Sequence, residues 1–157
     1  MHKQPKTYLL IMTSNNLFAE EFFSFLTGKA STAMSRRLQR NLKESCLTIT
    51  SEQWSLLYYL WNEEGLTQQE LANLTFRDKP SISRLINNLE KLKLVIRVND
   101  KGDRRTNLIY LTKEGRKIKM DCMAQASRTI AEALDNVDRD KLKDAQHILE
   151  TVYQNLK

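Results

Sequence analysis

The sequence predicts a mainly α-helical fold with one β-hairpin, on three observations. Apolar residues recur at helical spacing through most of the chain. Turn residues are scarce, with four Gly and two Pro in 157 residues. One stretch, residues 95–111, instead reads as two short runs rich in β-formers around a charged turn. A composition of 41% hydrophobic and 28% charged residues suits an ordered chain and disfavours an all-β fold. The length fits one domain with a real core and leaves little for a second.

In chain order, residues 1–14 form an N-terminal extension in which Tyr8–Met12 can pack as a short strand or helical turn. Lys3 and Lys6 followed by this apolar run briefly mimic a signal peptide, but the run is too short and no small-residue cleavage site follows. A long helix is expected from Asn15 towards Lys43, with Leu17, Phe18, Phe22, Phe25, Leu26, Leu38 and Leu42 at helical steps and Gly28 as its weak point. At roughly 40 Å it exceeds what a small core needs, so an additional partner is expected along it. Thr50 and Gln53 form a capping-box pattern opening a helix through Trp54, Leu56, Leu57, Leu60 and Trp61, which ends near Glu64-Gly65 with Gly65 in the left-handed position. Thr67 and Glu70 form a second capping box, for a helix of about two turns led in by Leu66.

Asp78 can cap the next helix, with Pro80 in its first turn, where a missing amide costs little. Its apolar residues Ile82, Leu85, Ile86, Leu89 and Leu92 form one stripe. On a wheel of 100° per residue the opposite face carries Pro80, Arg84, Asn87 and Lys91, with Ser83 at its edge and Ser81 and Asn88 further round. That face offers hydrogen-bond donors and no carboxylate. Val95–Val98 and Asn107–Leu111 then read as hairpin strands flanking the turn Asn99 to Thr106. Thr112 caps a second long helix carrying Ile118, Met123, Ala126, Ile130 and Leu134, and Asp138 caps a last one through Leu142, Ile148, Leu149, Val152, Tyr153 and Leu156.

The net charge is +6. Between Arg77 and Lys117 there are twelve Lys and Arg against five Asp and Glu, so this stretch alone holds more than the whole excess. A positive charge gathered onto one helix and a hairpin is the footprint of a polyanion-binding surface, although a solvated basic face has the same count. Cys46 and Cys122 have no CxxC spacing and no nearby His, which excludes a zinc or disulfide framework. Carboxylates beside both, and burial, predict inert thiols rather than redox sensors. His2 and His147 are the two histidines, and neither a nucleophile elbow nor a phosphate loop occurs, so neither an enzyme nor a resident cofactor is expected. No stretch reaches the length of a membrane span, and the default compartment is the cytoplasm.

Several blocks in register carry a resemblance. Gln53-Trp54-Ser55-Leu56-Leu57, Gly65-Leu66-Thr67-Gln68-Gln69-Glu70-Leu71-Ala72, Asp78-Lys79-Pro80-Ser81-Ile82-Ser83-Arg84-Leu85-Ile86, Leu94-Val95-Ile96-Arg97, Asp103-Arg104-Arg105 and Leu111-Thr112-Lys113-Glu114-Gly115 follow one another at the spacing of the MarR (multiple antibiotic resistance regulator) family. The chain resembles that family from about residue 47 to 118, and outside it in arrangement only. The resemblance implies a winged helix-turn-helix homodimer on pseudo-palindromic double-stranded DNA, most often a repressor released by a small ligand or an oxidant. It makes Asp78–Ile86 part of the recognition helix, with Lys79, Ser81, Ser83 and Arg84 as phosphate and base contacts. It also makes Asp103 and Arg105 the wing pair in which the Asp holds the Arg for the minor groove.

The chemistry of these residue types agrees with those roles. An Arg at position 84 can donate in bidentate fashion to guanine N7 and O6. A wing-tip Arg105 suits the negative potential of a narrow minor groove. Lys79, Lys101 and Arg104 suit phosphates, adding affinity and salt dependence rather than specificity. The expected organisation is an extension (1–14), a helical dimerisation region (15–46 and 113–157) and a winged helix-turn-helix region (47–112). The Phe18, Phe22 and Phe25 stripe is assigned to the dimer seam. A small-molecule effector is expected without being identified; Arg36, Arg37, Trp54 and Tyr58 could meet an aromatic acid, but helix packing explains them equally well and no ligand residue is assigned. The alternative reading is a winged-helix module that binds a protein instead of DNA.

Overall fold

The computed structural model describes residues 16–100, 102 and 106–157, with side chains described from Phe23 onward in that set. The element expected over Tyr8–Met12, and the Phe18 and Phe22 side chains, lie outside the described residues. The order is α1 (Asn16–Glu44), α2 (Ser51–Asn62), β1 (Leu66–Thr67), α3 (Gln68–Thr75), α4 (Lys79–Lys91), β2 (Val95–Asn99), β3 (Asn107–Leu111), α5 (Lys113–Lys117), α6 (Lys119–Ala133) and α7 (Arg139–Asn155). This is a winged helix-turn-helix set between long helices.

Local chemistry starts most of these elements. Thr50 accepts from the Gln53 amide while the Gln53 side chain accepts from the Thr50 amide, and Thr67 and Glu70 repeat the exchange for α3. Asp78 caps α4, Thr112 caps α5 and Asp138 caps α7, each satisfying amides that a helix start would leave orphaned. The sheet is antiparallel in the order β1-β3-β2, with Leu66 opposite Ile109, Val95 opposite Leu111 and Asn99 opposite Asn107.

Three boundaries differ from the sequence reading. The second helix ends at Asn62 with Glu63 extended, and Gly65, at φ +80°, serves the turn into β1 instead of a helix cap. Its amide donates to the Ile109 carbonyl at 2.9 Å, and an added Cβ would stand 2.8 Å from the Tyr110 hydroxyl. The helix capped by Thr112 is broken at Ile118 into α5 and α6. Leu92, expected in the α4 stripe, is the cap residue past its end and is 39% exposed.

The core joins the end of α1 (Leu38, Leu42) to α2 (Leu56, Leu57, Leu60), α3 (Leu71), α4 (Ile82, Ile86, Leu89) and β3 (Ile109), with Cys122 and Ala126 of α6 closing it. A polar clamp fixes α1 to α6 beside it. Arg37 donates twice to Glu132, at 2.5 and 2.7 Å, while the buried Asn41 amide donates to Thr129 at 2.9 Å and to Glu132 at 3.1 Å. Beyond this clamp the helices stand clear: Phe23, Phe25 and Leu26 of α1 are exposed, and α7 buries no residue.

A second junction lies where the winged helix-turn-helix set meets the long helices. Thr112 donates its amide to Leu94 at 3.0 Å and its hydroxyl to Lys93 at 2.6 Å, and the buried Trp61 indole donates to the Gly115 carbonyl at 2.9 Å. A Cβ on Gly115 would come within 2.1 Å of the Leu94 carbonyl oxygen, a backbone atom that cannot swing aside. Gly115→Ala is therefore expected to cost about 1 to 3 kcal/mol by overpacking, read as a lower urea midpoint with an unchanged slope. A midpoint equal to that of the parent chain would contradict the close approach.

The Arg37 guanidinium, then the Asn41 amide, hold the Glu132 carboxyl down at about 2. A depressed carboxylate stabilises the fold above its ordinary value of 4.5 and loses that contribution as pH falls towards 2. Urea midpoints of the parent chain should thus fall across that window. Glu132→Gln should start lower at neutral pH and fall less, and parallel curves for the two would refute the assignment.

Candidate nucleic-acid interface

The first turn of α4 is built by Asp78, whose carboxylate accepts the Ser81 amide at 2.7 Å and the Ser81 hydroxyl at 3.0 Å. These bonds, the backbone one foremost, hold the Asp78 carboxyl below its ordinary value, with the Arg84 charge adding a smaller part. Pro80 occupies the first turn as its fixed φ and missing donor allow. Ile82, Leu85, Ile86 and Leu89 are buried in the core, so the geometry of the helix turns Lys79, Pro80, Arg84 and Asn87 outward, and all four are exposed.

Ser81 and Ser83 are half-buried and already engaged. Ser81 donates to its cap, and Ser83 donates to the Gln68 side-chain Oε1 at 3.3 Å, pinning α4 to the start of α3. With its single proton spent, each hydroxyl offers only lone pairs to a ligand. Arg84 makes no hydrogen bond among the described residues, so the donors on this face include Lys79, Arg84, the Asn87 amide and, further along, Lys91.

The sequence reading missed Arg97. From β2 its guanidinium reaches back to α4, where one arm pairs with Glu90 and the other donates to the Asn87 carbonyl oxygen at 2.7 Å. The partners lie seven and ten residues away across a turn, where no helical or strand spacing links them. Arg77, between α3 and α4, pairs with Glu52 of α2 at 3.2 Å.

The hairpin rises beside α4. Its last described rung is the Asp100 amide to the Thr106 carbonyl at 2.9 Å, and Gly102 donates to the Asp100 carboxylate at 3.0 Å. Lys101, Asp103, Arg104 and Arg105 lie outside the described residues.

Arg37 is spent on Glu132, and Trp54 stacks on Tyr58 with ring centroids 5.5 Å apart. Neither lines the cleft of about 570 Å³ between the end of α6 and the start of α7, whose walls include Ile130, Leu134, Val137, Leu142, Asp135 and Arg139. Cys122 is fully buried, and burial together with Asp121 pushes its thiol up to about 12, as befits an inert core residue. Cys46 corrects the expectation of burial: it sits at φ +58° in the turn after α1 and is exposed. Among the described residues no three His, Cys, Asp or Glu side chains cluster to hold a metal, and no helix is long and apolar enough to cross a membrane.

The MarR family model matches residues 47–106, from α2 through α4 and the first strand of the hairpin. The HTH-type transcriptional regulator TtmR of Methylorubrum extorquens is 39% identical over 77 residues, which is 48% of this chain, and this chain spans only 40% of that protein. The HTH-type transcriptional regulator SarZ of Staphylococcus aureus is 30% identical over 108 residues, covering 69% of this chain and 72% of SarZ. The structure of the S. aureus MepR–DNA complex superposes with a TM-score of 0.76 at 27% identity, over 85% of this chain and 97% of that one. With a family match over the reader and a SarZ likeness through more than two thirds of both proteins, the chain belongs to the MarR family.

Proposed function

We propose that the chain is a sequence-specific DNA-binding transcriptional regulator of the cytoplasm. In this reading it is a homodimeric repressor released from a pseudo-palindromic operator by a small ligand or stress signal. The observation that carries the reading is the outward face of α4, where Lys79, Arg84 and Asn87 project from a helix whose opposite face is buried. That helix can enter a major groove while the hairpin reaches the neighbouring minor groove. Arg84 then reads a guanine, and Lys79, Lys101 and Arg104 hold phosphates. Arg105, positioned by Asp103, probes the minor groove. The MepR neighbour was solved with DNA, which supports a DNA ligand for this fold.

Pairing follows from the exposed apolar residues of the long helices, among them Phe23, Phe25 and Leu26 of α1 and Ile148, Leu149 and Val152 of α7. A twofold partner covers them and supplies the second reader that a dyad site requires.

Selection of bound sequences from random duplex DNA tests the reading, followed by titration across salt concentrations. A pseudo-palindrome should emerge, and its log K should fall linearly with log salt. Arg84→Ala should lose about 1 to 3 kcal/mol of specific binding and relax one base position in each half-site. Retention of no duplex would favour a protein-binding module, and a monomer at micromolar concentration in equilibrium sedimentation would refute the pairing.

A further inference from the structure

Asn87 stands on the exposed face of α4, one turn beyond Arg84, yet its carboxamide is not free to act as both donor and acceptor. An unrestrained asparagine reads adenine with both ends, its oxygen accepting from N6 and its amide donating to N7. Here the oxygen already accepts from the Arg97 guanidinium at 2.7 Å. Rotating the amide by half a turn would set donor against donor, so the cation fixes its orientation.

Arg97 is itself held, because its other arm pairs with Glu90 on the same helix as Asn87. A planar fork bound at both tines cannot release one partner without turning away from the other. The second lone pair of the Asn87 oxygen still lies beside this cation, where an adenine amino group would bring another positive edge. Guanine presents two acceptors, N7 and O6, which both the free amide hydrogens and the nearby positive charge favour.

We propose that Arg97, acting from the wing strand, makes Asn87 a donor-only reader that selects guanine over adenine at one base position of each half-site. Arg97 is a positioning residue and need not touch the base. The inference rests on the DNA-binding reading above and extends it to the specificity of a second side chain on α4.

The test compares selected sequences for the parent chain, Asn87→Ala, Asn87→Asp and the double variant Arg97→Met with Glu90→Gln, which leaves no carboxylate without its cation. The position at which Asn87→Ala loses its preference locates the contact. There the parent chain should favour guanine over adenine about tenfold, and the double variant should move that ratio towards adenine by about the same factor while other positions hold. Asn87→Asp keeps an acceptor for Arg97, and so keeps the thermal midpoint, but should lose the guanine preference. If the double variant fails to fold by circular dichroism, Arg97→Lys, which keeps a cation for Glu90 without the second arm that reaches Asn87, takes its place with the same expected move towards adenine.

Adenine at that position in the parent chain would overturn the inference. So would an unmoved ratio in the folded double variant, a guanine preference retained by Asn87→Asp, or an Asn87→Ala that weakens all sequences equally. A parent chain that selects no duplex at all would instead overturn the DNA-binding reading beneath it.

Discussion

The orientation of α4 depends on burying Ile82, Leu85, Ile86 and Leu89 along one side. Burial of each such side chain contributes about 1.5 to 3 kcal/mol. A hydrogen bond on the outward face nets only about 0.5 to 1.5 kcal/mol. The stripe therefore decides which way the helix faces, and the polar residues follow. Arg84 and Asn87 point outward because 100° per residue leaves them no other direction. The capping bonds of Asp78 and the bond from Ser83 to Gln68 then set where the helix begins and how it leans on α3.

The junction around Gly115 ties the winged helix-turn-helix set to the long helices. The Trp61 indole, the Thr112 bonds to Lys93 and Leu94, and the contact of Gly115 with the Leu94 backbone join α2, the start of β2 and α5 within one small volume. Glu64 adds a further tie, accepting from the Leu111 amide at 3.1 Å and from Arg116 at 2.6 and 2.8 Å. The break at Ile118 lies next to them, so the long helix and the short one need not tilt together.

Features written into neighbouring residues were legible in the sequence. The caps at Thr50, Thr67, Asp78, Thr112 and Asp138 are patterns of three or four residues, and each appears where local chemistry placed it. The α4 stripe and the hairpin strands follow from periodicity in the same way. What escaped was set by distant partners. The two residues of β1 exist because Ile109 offers a strand edge to pair with, and two residues have no period to detect. Gly65 was read as a helix cap because its left-handed backbone suits either role, and only Tyr110 and Ile109 show which role it fills. Arg97 was noted as a strand residue, while its hold on Asn87 depends on how the strand packs against α4.

The last helix poses the clearest physical demand on a partner. At 17 residues α7 is close to the length at which an isolated helix is marginal in water, and it buries no side chain. Its ring contact between Tyr153 and Phe76, with centroids 5.5 Å apart, does not replace a packed face. Leu149, Val152, Tyr153 and Leu156 nevertheless follow the three- and four-residue steps of an amphipathic helix, and the exposed half of α1 carries its own apolar residues. Two unfilled faces in one chain suit the twofold pairing proposed above, in which each copy covers the other with the same surfaces. The 29 residues of α1 make it about 43 Å long at 1.5 Å per residue. Successive major-groove faces lie about 34 Å apart, so in the proposed dimer a brace of this scale suits two copies of α4 set one helical turn apart.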